Sequence, residues 1–296
     1  MKKIFCIGHA TYDVTLPVSI YPKENSKIKI NQKVECGGGS SANAAVLLAK
    51  WGKKPYYIGA VGDDYYGARI KGAFLYNKVN IKYLETQKGY YTSTSYILAS
   101  INKGKRTIAT FKDKNLKLKT TNIKEKADVL YFDGEHLEIS KNLIKNNPNS
   151  LKILDAGSLK KETIELCPLV DYVICSSDFA EAYTNQKINA KDQESLKKVL
   201  KLLINDFKNN VIITLEEHGS YAKIGRTYQL IPSIKVKAID STGAGDIYHG
   251  AFTYFITTGY DLKRAIYLAN IAGAISVTRL GGRFSIPTLE EVLSFE

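Results

Sequence analysis

The sequence predicts an α/β protein: a three-layer core around a mostly parallel sheet, with a small β-sheet lid. Three observations carry this reading. Short apolar runs of strand length are separated by runs with helical spacing, and two stretches break that rhythm with alternating, Thr- and Tyr-rich patterns. The last third, from residue 244 to 280, is helix-rich. Strands alternating with helices imply a parallel sheet covered on both faces.

Taken in order, residues 4–7, 56–60, 129–132, 152–154, 172–175 and 211–214 read as buried strands. Residues 41–51, 65–78, 139–146 and 192–206 read as the intervening helices. Residues 14–35 and 90–111 read as amphipathic antiparallel strands that pair into a separate small sheet. The expected division is a core of residues 1–13, 37–89 and 112–296, and a lid of residues 14–36 and 90–111. There are no internal repeats and no low-complexity linker.

Composition narrows the class. The chain has 296 residues and a formal net charge of +13. The lysines behind that charge are dispersed and heavily outnumber the arginines, which reads as a solvated surface and not a nucleic-acid interface. The same excess would attract anionic substrates. Cys6, Cys36, Cys167 and Cys175 are scattered without a C-x-x-C pair, so they read as reduced thiols of a cytoplasmic protein. The apolar start is too short for a signal sequence and is broken by His9 and Asp13. No segment approaches the length of a membrane span.

Two glycine clusters carry the chemistry. Asp240-Ser-Thr-Gly-Ala-Gly-Asp246 sets small residues at the start of an apolar helical run. Unpaired backbone N–H groups and the helix dipole make such a start an anion site suited to phosphate. Asp246 falls in the first turn, beside whatever is held, which suggests phosphoryl transfer to a hydroxyl. The second cluster, Cys36-Gly-Gly-Gly-Ser-Ser-Ala-Asn43, lets a ligand approach the backbone, and Asn43 offers a donor and an acceptor. Its Gly37-x-Gly39-x-x-Ala42 spacing, with Asp63 some twenty residues on, also fits a dinucleotide fingerprint. No P-loop pattern occurs. His249 lies one turn after Asp246 and reads as site wall. His9 is near the first strand, and His136 and His218 have no partner that suggests a metal.

Together the residues resemble the ribokinase-like, or PfkB, family of carbohydrate kinases. The segments from Gly37 to Trp51 and from Asp240 to Phe252 are similar to its two signatures. Val61-Gly-Asp-Asp-x-x-Gly67 and the run from Ala269 through Gly281 to Ser285-Ile-Pro287 fit between and after them, so the likeness covers essentially the whole chain. It implies a ribokinase-like core and an ATP-dependent kinase acting on a sugar hydroxyl. Asp246 would be the base, and the N–H groups of Gly243, Ala244 and Gly245 the anion hole. Asp13 would accept hydrogen bonds from two sugar hydroxyls, with Gly38, Gly39 and Asn43 completing the sugar side. Thr214, Gly219 and Asn270 would serve the nucleotide.

The chain departs from the family pattern twice. Glu216 replaces a glycine in Thr-Leu-Glu-Glu-His-Gly219, and Asp178-Phe-Ala-Glu181 stands for the N-x-x-E that serves Mg2+. An aspartate there keeps an oxygen ligand for a hard cation or its waters. Asp240, Thr242, Ser276, Arg279, Gly281 and Ser285 occupy the positions of a K+ site. The likeness also implies a homodimer formed through the lid. Tyr21-Pro-Lys-Glu24 is similar to ketose-kinase members and points to a ketose, with a phosphosugar left open. A nucleoside kinase, an NAD-dependent oxidoreductase and a non-catalytic sugar or nucleotide sensor are the other readings, and neither nucleic acid nor membrane is expected as a partner.

Overall fold

The computed structural model describes residues 2–296. Its first strand, β1 (Ile4–Ile7), shows why a central sheet forms. All four side chains are buried. Alternate residues leave opposite faces of a strand, so Ile4 and Cys6 enter one apolar cluster and Phe5 and Ile7 the other. Only a strand covered on both sides satisfies that sequence. The same alternation repeats in β8 (Val129–Phe132), β9 (Leu151–Ala156), β10 (Tyr172–Ser176) and β11 (Asn210–Thr214).

With β4 (Tyr56–Gly62), β5 (Asn80–Gln87), β12 (Ser220–Ile224) and β13 (Thr227–Ile231), these strands make a nine-stranded sheet. Its order is β13-β12-β11-β10-β9-β8-β1-β4-β5. Pairing from β5 to β11 is parallel, and β12 and β13 add antiparallel at one edge. One face is covered by α1 (Ser40–Lys50), α2 (Tyr65–Tyr76), α7 (Ala244–Thr258) and α8 (Leu262–Ser276). The other is covered by α3 (Leu137–Asn146), α4 (Lys161–Leu166), α5 (Ser177–Thr184) and α6 (Gln193–Phe207). A short α9 (Leu289–Leu293), opened by a Thr288–Glu291 capping box, closes the chain. Among the described residues no helix is long and apolar enough to cross a membrane, and the four cysteines are buried and free.

The second sheet has four strands, β2 (Thr11–Val18), β3 (Val34–Gly38), β6 (Thr94–Ser100) and β7 (Lys105–Phe111), in the order β3-β2-β6-β7. The two outer pairs are antiparallel, but the central β2–β6 pair is parallel, contrary to the expected all-antiparallel arrangement. The reason is chain path: each half contributes its own antiparallel pair, and the halves meet through strands that leave the core in the same direction. Residues 19–33 form no strand. Strand β7 is exposed along its whole length.

Helices α1 and α7 cross closely enough that a Cβ on Gly250 would stand 3.1 Å from Ala44 Cα and 3.4 Å from Leu47 Cδ2. This close approach sets the distance between the two glycine clusters, because each cluster opens one of these helices. Overpacking such a crossing costs about 1–3 kcal/mol. Gly250→Val is therefore expected to lower stability by that order in chemical denaturation; an unaltered midpoint would contradict the packing argument.

Candidate active site

The two glycine clusters meet at the C-terminal ends of the central strands, where parallel α/β sheets bind their ligands. Gly243, at φ 75°, turns the chain into α7. A Cβ there would lie 3.1 Å from Gly282 Cα, so both the conformation and the space favour glycine. Ala244 N reaches Ser241 O at 3.3 Å. Among the described residues the N–H groups of Gly243, Gly245 and Asp246 have no protein acceptor. They are the orphan donors that a helix start offers to an anion.

Asp246 is half-buried in the first turn. Its Oδ2 accepts from Asn43 Nδ2 at 2.7 Å, and the Ser40 hydroxyl also supports it. Burial raises its pKa, and the nearby charge of Asp155 adds to that rise. Behind it, His249 Nδ1–H donates to Gly245 O at 2.5 Å and stands 3.2 Å from Asp155 Oδ2. Tyr131 Oη donates to the same Asp155 oxygen at 3.1 Å. His249 thus braces the first turn of α7 from behind.

Asp13 lies on β2, 6% exposed, with Oδ1 buried and without a hydrogen-bond partner. Burial pushes its pKa up to about 7, against the opposing pull of Arg283 and the Ser95 and Thr11 hydroxyls. A buried acceptor left open is costly unless a ligand fills it.

The three glycines of the second cluster serve three different neighbours. A Cβ on Gly37 would fall 2.2 Å from Arg283 Nη1, one on Gly38 would fall 1.9 Å from Asp13 Oδ2, and Gly39 sits at φ 95° against the His9 carbonyl. Two of them therefore make room for side chains of this protein. Asp133, half-buried, ties the loops together: Oδ2 accepts from His9 N at 2.8 Å and Ser41 N at 3.2 Å, and Oδ1 from Glu135 N at 3.1 Å.

Of the expected nucleotide residues, Thr214 ends β11, Gly219 precedes β12 and Asn270 lies on α8. Thr214 Oγ1 bonds to Cys175 O at 3.3 Å. At Gly219 a Cβ would strike Ile231 O at 2.2 Å. Asn270 faces inward: Oδ1 accepts from Ser220 Oγ at 2.7 Å, and Nδ2 donates to Ile231 O at 2.9 Å. Its amide clamps β12 to β13, which places it in the wall of the site. Glu216 is exposed and keeps a left-handed φ of 50°, the conformation a glycine would adopt without strain.

The two acids expected to serve Mg2+ are not equivalent. Asp178 is exposed in the first turn of α5. The Glu181 carboxylate instead accepts from Ile188 N at 2.8 Å and pairs with Lys187 Nζ at 2.6 Å, so it staples the loop after its own helix. Among the described residues no group of three or more acids, histidines or cysteines could hold a metal.

Of the residues expected at a K+ site, Asp240, Thr242, Gly281 and Ser285 are joined by hydrogen bonds. Asp240, buried, accepts from Thr242 N at 2.9 Å and Gly281 N at 2.8 Å. Ser285 N donates to Gly281 O, Arg279 N to Ser276 O, and the Arg279 guanidinium pairs with Glu291. Thr242 Oγ1 is buried without a partner.

Three features escaped the sequence reading. Arg283 is 4% exposed and lies against the second glycine cluster; its only signal is a charged residue in a run of small and apolar ones. Arg106, on β7, donates to Ser241 Oγ at 2.7 Å and links the small sheet to the loop before α7. Glu135 holds Lys112 at 2.9 Å and Lys160 at 3.2 Å. Burial alone would raise the Glu135 pKa, but the two lysines outweigh it and hold it at about 2. Glu135 and Lys112 border a cavity of about 600 Å3, lined also by His9, Ser93 and His136.

The dinucleotide alternative does not fit this arrangement. Its first glycine, Gly37, lies within β3, an edge strand of the small sheet, and not in a turn after the first strand of a βαβ unit. Asp63 is exposed.

Comparison with known proteins agrees with the geometry. The pfkB family of carbohydrate kinases matches residues 1–289. The ribokinase of Bacillus subtilis is 27% identical over 99% of this chain and 98% of its own length. The ATP-dependent ribose-1-phosphate kinase of Halopiger xanaduensis is 25% identical over 100% of this chain and 98% of its own length. A crystal structure from Agrobacterium tumefaciens superposes with a TM-score of 0.91, at 25% identity, covering 99% of this chain and 97% of that one. The chain belongs to the pfkB carbohydrate kinase family and is an ATP-dependent carbohydrate kinase.

The elevated pKa of Asp13 has a stability consequence. An acid whose folded pKa lies above its unfolded value favours the fold while protonated. That contribution is complete below about pH 4 and is lost as pH rises through about 7. Asp13→Asn should therefore melt at a higher temperature than wild type at pH 8, with the gap shrinking toward pH 5. A gap independent of pH would contradict the assignment.

Proposed function

We propose that this kinase transfers the γ-phosphoryl group of ATP to a hydroxyl of an aldopentose of the ribose type. The observation that carries this reading is the juxtaposition of Asp246 with the open helix start of α7, facing the unfilled Oδ1 of Asp13. Asp13 accepts two sugar hydroxyls and thereby orients the sugar, with the backbone of Gly38 and Gly39 alongside. Asp246 accepts the proton of the attacking hydroxyl. Phosphoryl transfer is largely dissociative, so a carboxylate suffices as a late base. The open N–H groups at Gly243 and Gly245 stabilise charge on the transferring group, and that of Ala244 joins them by leaving its long 3.3 Å bond to Ser241 O.

The relatives support the pentose, since they include a ribokinase and a ribose-1-phosphate kinase. They lend no such support to the ketose suggested by Tyr21-Pro-Lys-Glu24, whose residues 22–24 are exposed in the irregular stretch between β2 and β3. A phosphorylated pentose remains the second reading. It is favoured by Lys112 and Lys160, which converge on Glu135 at the rim of the cavity of about 600 Å3 and could instead receive a phosphate.

Magnesium arrives on the nucleotide in this reading. Mg2+ keeps most of its waters and needs only one or two carboxylates besides phosphate oxygens, a role open to Asp178 but not to Glu181 as paired here. The Asp240 loop, with its orphaned Thr242 hydroxyl, fits a K+ ion that would tighten the turn before α7. The small sheet serves as the lid over the sugar, and its exposed β7 edge fits pairing with a second copy in a homodimer. The exposed Glu216 carboxylate would repel nucleotide phosphates brought to the end of β11, and its left-handed backbone carries a separate cost in stability.

Two outcomes are expected. ADP release measured across pentoses, ketoses, nucleosides and sugar phosphates should be sugar-dependent, and Asp246→Asn should lower kcat by more than about a thousandfold while ATP affinity changes little. Retained turnover would sink the assignment of Asp246. Glu216→Gly should lower the KM for ATP severalfold and stabilise the fold by roughly 0.5–1 kcal/mol, since a non-glycine residue pays about 1–2 kcal/mol in the left-handed region. An unchanged KM would remove Glu216 from the nucleotide site.

A further inference from the structure

The Asn43 side chain stands between two groups that can bond in only one sense. On one side Arg283 Nε lies 3.2 Å from Oδ1, and on the other Asp246 Oδ2 lies 2.7 Å from Nδ2. A guanidinium only donates, and an ionised carboxylate only accepts. Whichever Asn43 atom faces Arg283 must therefore be the oxygen, which turns the NH2 group toward Asp246. Without Arg283 the amide is held from one side only, by the carboxylate that it positions, and its oxygen loses its partner.

The cost of keeping Arg283 here argues that it does more than fill space. It is 4% exposed, and Nη1 and Nη2 have no hydrogen-bond partner. Burying a charge without full pairing is expensive, and an apolar side chain of similar volume would be cheaper. The site is nonetheless shaped around it. Gly37 leaves the room that Nη1 occupies, and the guanidinium carbon lies 5.3 Å over the Phe74 ring. Asn43 itself is 1% exposed and uses one donor and one acceptor on these two neighbours, which leaves an N–H and a lone pair for a sugar hydroxyl.

We infer that Arg283 is a positioning residue, which fixes the amide orientation of Asn43 and through it holds the Asp246 carboxylate in place for proton transfer. The inference rests on Asp246 being the base of the proposed kinase. Misplacing a reacting group by a fraction of an ångström to an ångström costs up to about a hundredfold in rate. Arg283→Met should accordingly lower kcat about ten- to a hundredfold with the KM for ATP within twofold. The same change should cost little more in an Asn43→Ala background, because the effect passes through Asn43.

The decisive experiment needs no substrate. In ligand-free protein labelled with 15N-asparagine, the Asn43 side-chain NH2 signals, assigned by their loss in Asn43→Ala, should exchange slowly with solvent. Their exchange should accelerate at least tenfold in Arg283→Met and stay slow in Arg283→Lys, which keeps a donor. Gly37→Ala, whose methyl would displace Nη1, should accelerate it with Arg283 still present, and decides the matter if the Met variant does not fold. Unchanged exchange in Arg283→Met, or in Gly37→Ala where that variant alone folds, would overturn the inference, as would kinetic losses that simply add. If wild type shows no turnover with pentoses while the exchange result holds, the proposed substrate fails and the ordering of Asn43 by Arg283 stands.

Discussion

The close crossing of α1 and α7 is the constraint on which the site depends. Ala44 and Gly250 let the two helix axes approach, and each helix begins in one of the glycine clusters. Only at this separation can Asn43 on α1 reach Asp246 on α7 at 2.7 Å. The helix starts also point to the same end of the sheet, so one open row of N–H groups faces the strand that carries Asp13. Small residues in α7 thus do two jobs. At its start they expose backbone to an anion, and one and a half turns later they set the packing distance.

The site is built at the expense of stability. Asp13 is buried with an unfilled acceptor, Arg283 is buried with two unfilled nitrogens, and Asp246 is held at a raised pKa in the first turn of its helix. A sequence selected for folding alone would replace them with apolar groups. What compensates is the two-sided core, in which β1 and its neighbours bury alternate side chains on both faces. Asp133 adds local order by drawing the backbone of the Gly8–Ala10 loop, the start of α1 and the Glu135 loop onto one carboxylate.

Much of this was legible in the sequence because it rests on periodicity and on small residues. The buried strands and the helices between them follow from alternation and from helical spacing, and Asp240–Asp246 announces an anion-binding helix start. Strand β5 was not legible, because Asn-Ile-Lys-Tyr-Leu-Glu-Thr-Gln is a half-exposed edge strand whose polar residues hide its period. The β12–β13 hairpin at the other edge was missed for similar reasons, and nothing local reports that β2 and β6 run parallel.

Within the site, residue types were legible but directions were not. Asn43 and Asn270 could be singled out, yet their amides are engaged by Arg283, Asp246, Ser220 and Ile231, partners brought from distant parts of the chain. Glu181 likewise reads as a candidate ligand until the loop that folds back to it is seen. Glycines were read as space for a ligand, whereas Gly37 and Gly38 accommodate Arg283 and Asp13.

The most direct test of the account is a crystal structure of the protein with D-ribose and a non-hydrolysable ATP analogue. The account predicts a sugar held by Asp13, one of its hydroxyls within hydrogen-bond distance of Asp246, and the γ-phosphate over the backbone of Gly243 to Gly245. A sugar bound away from Asp13, or a γ-phosphate remote from the start of α7, would contradict it.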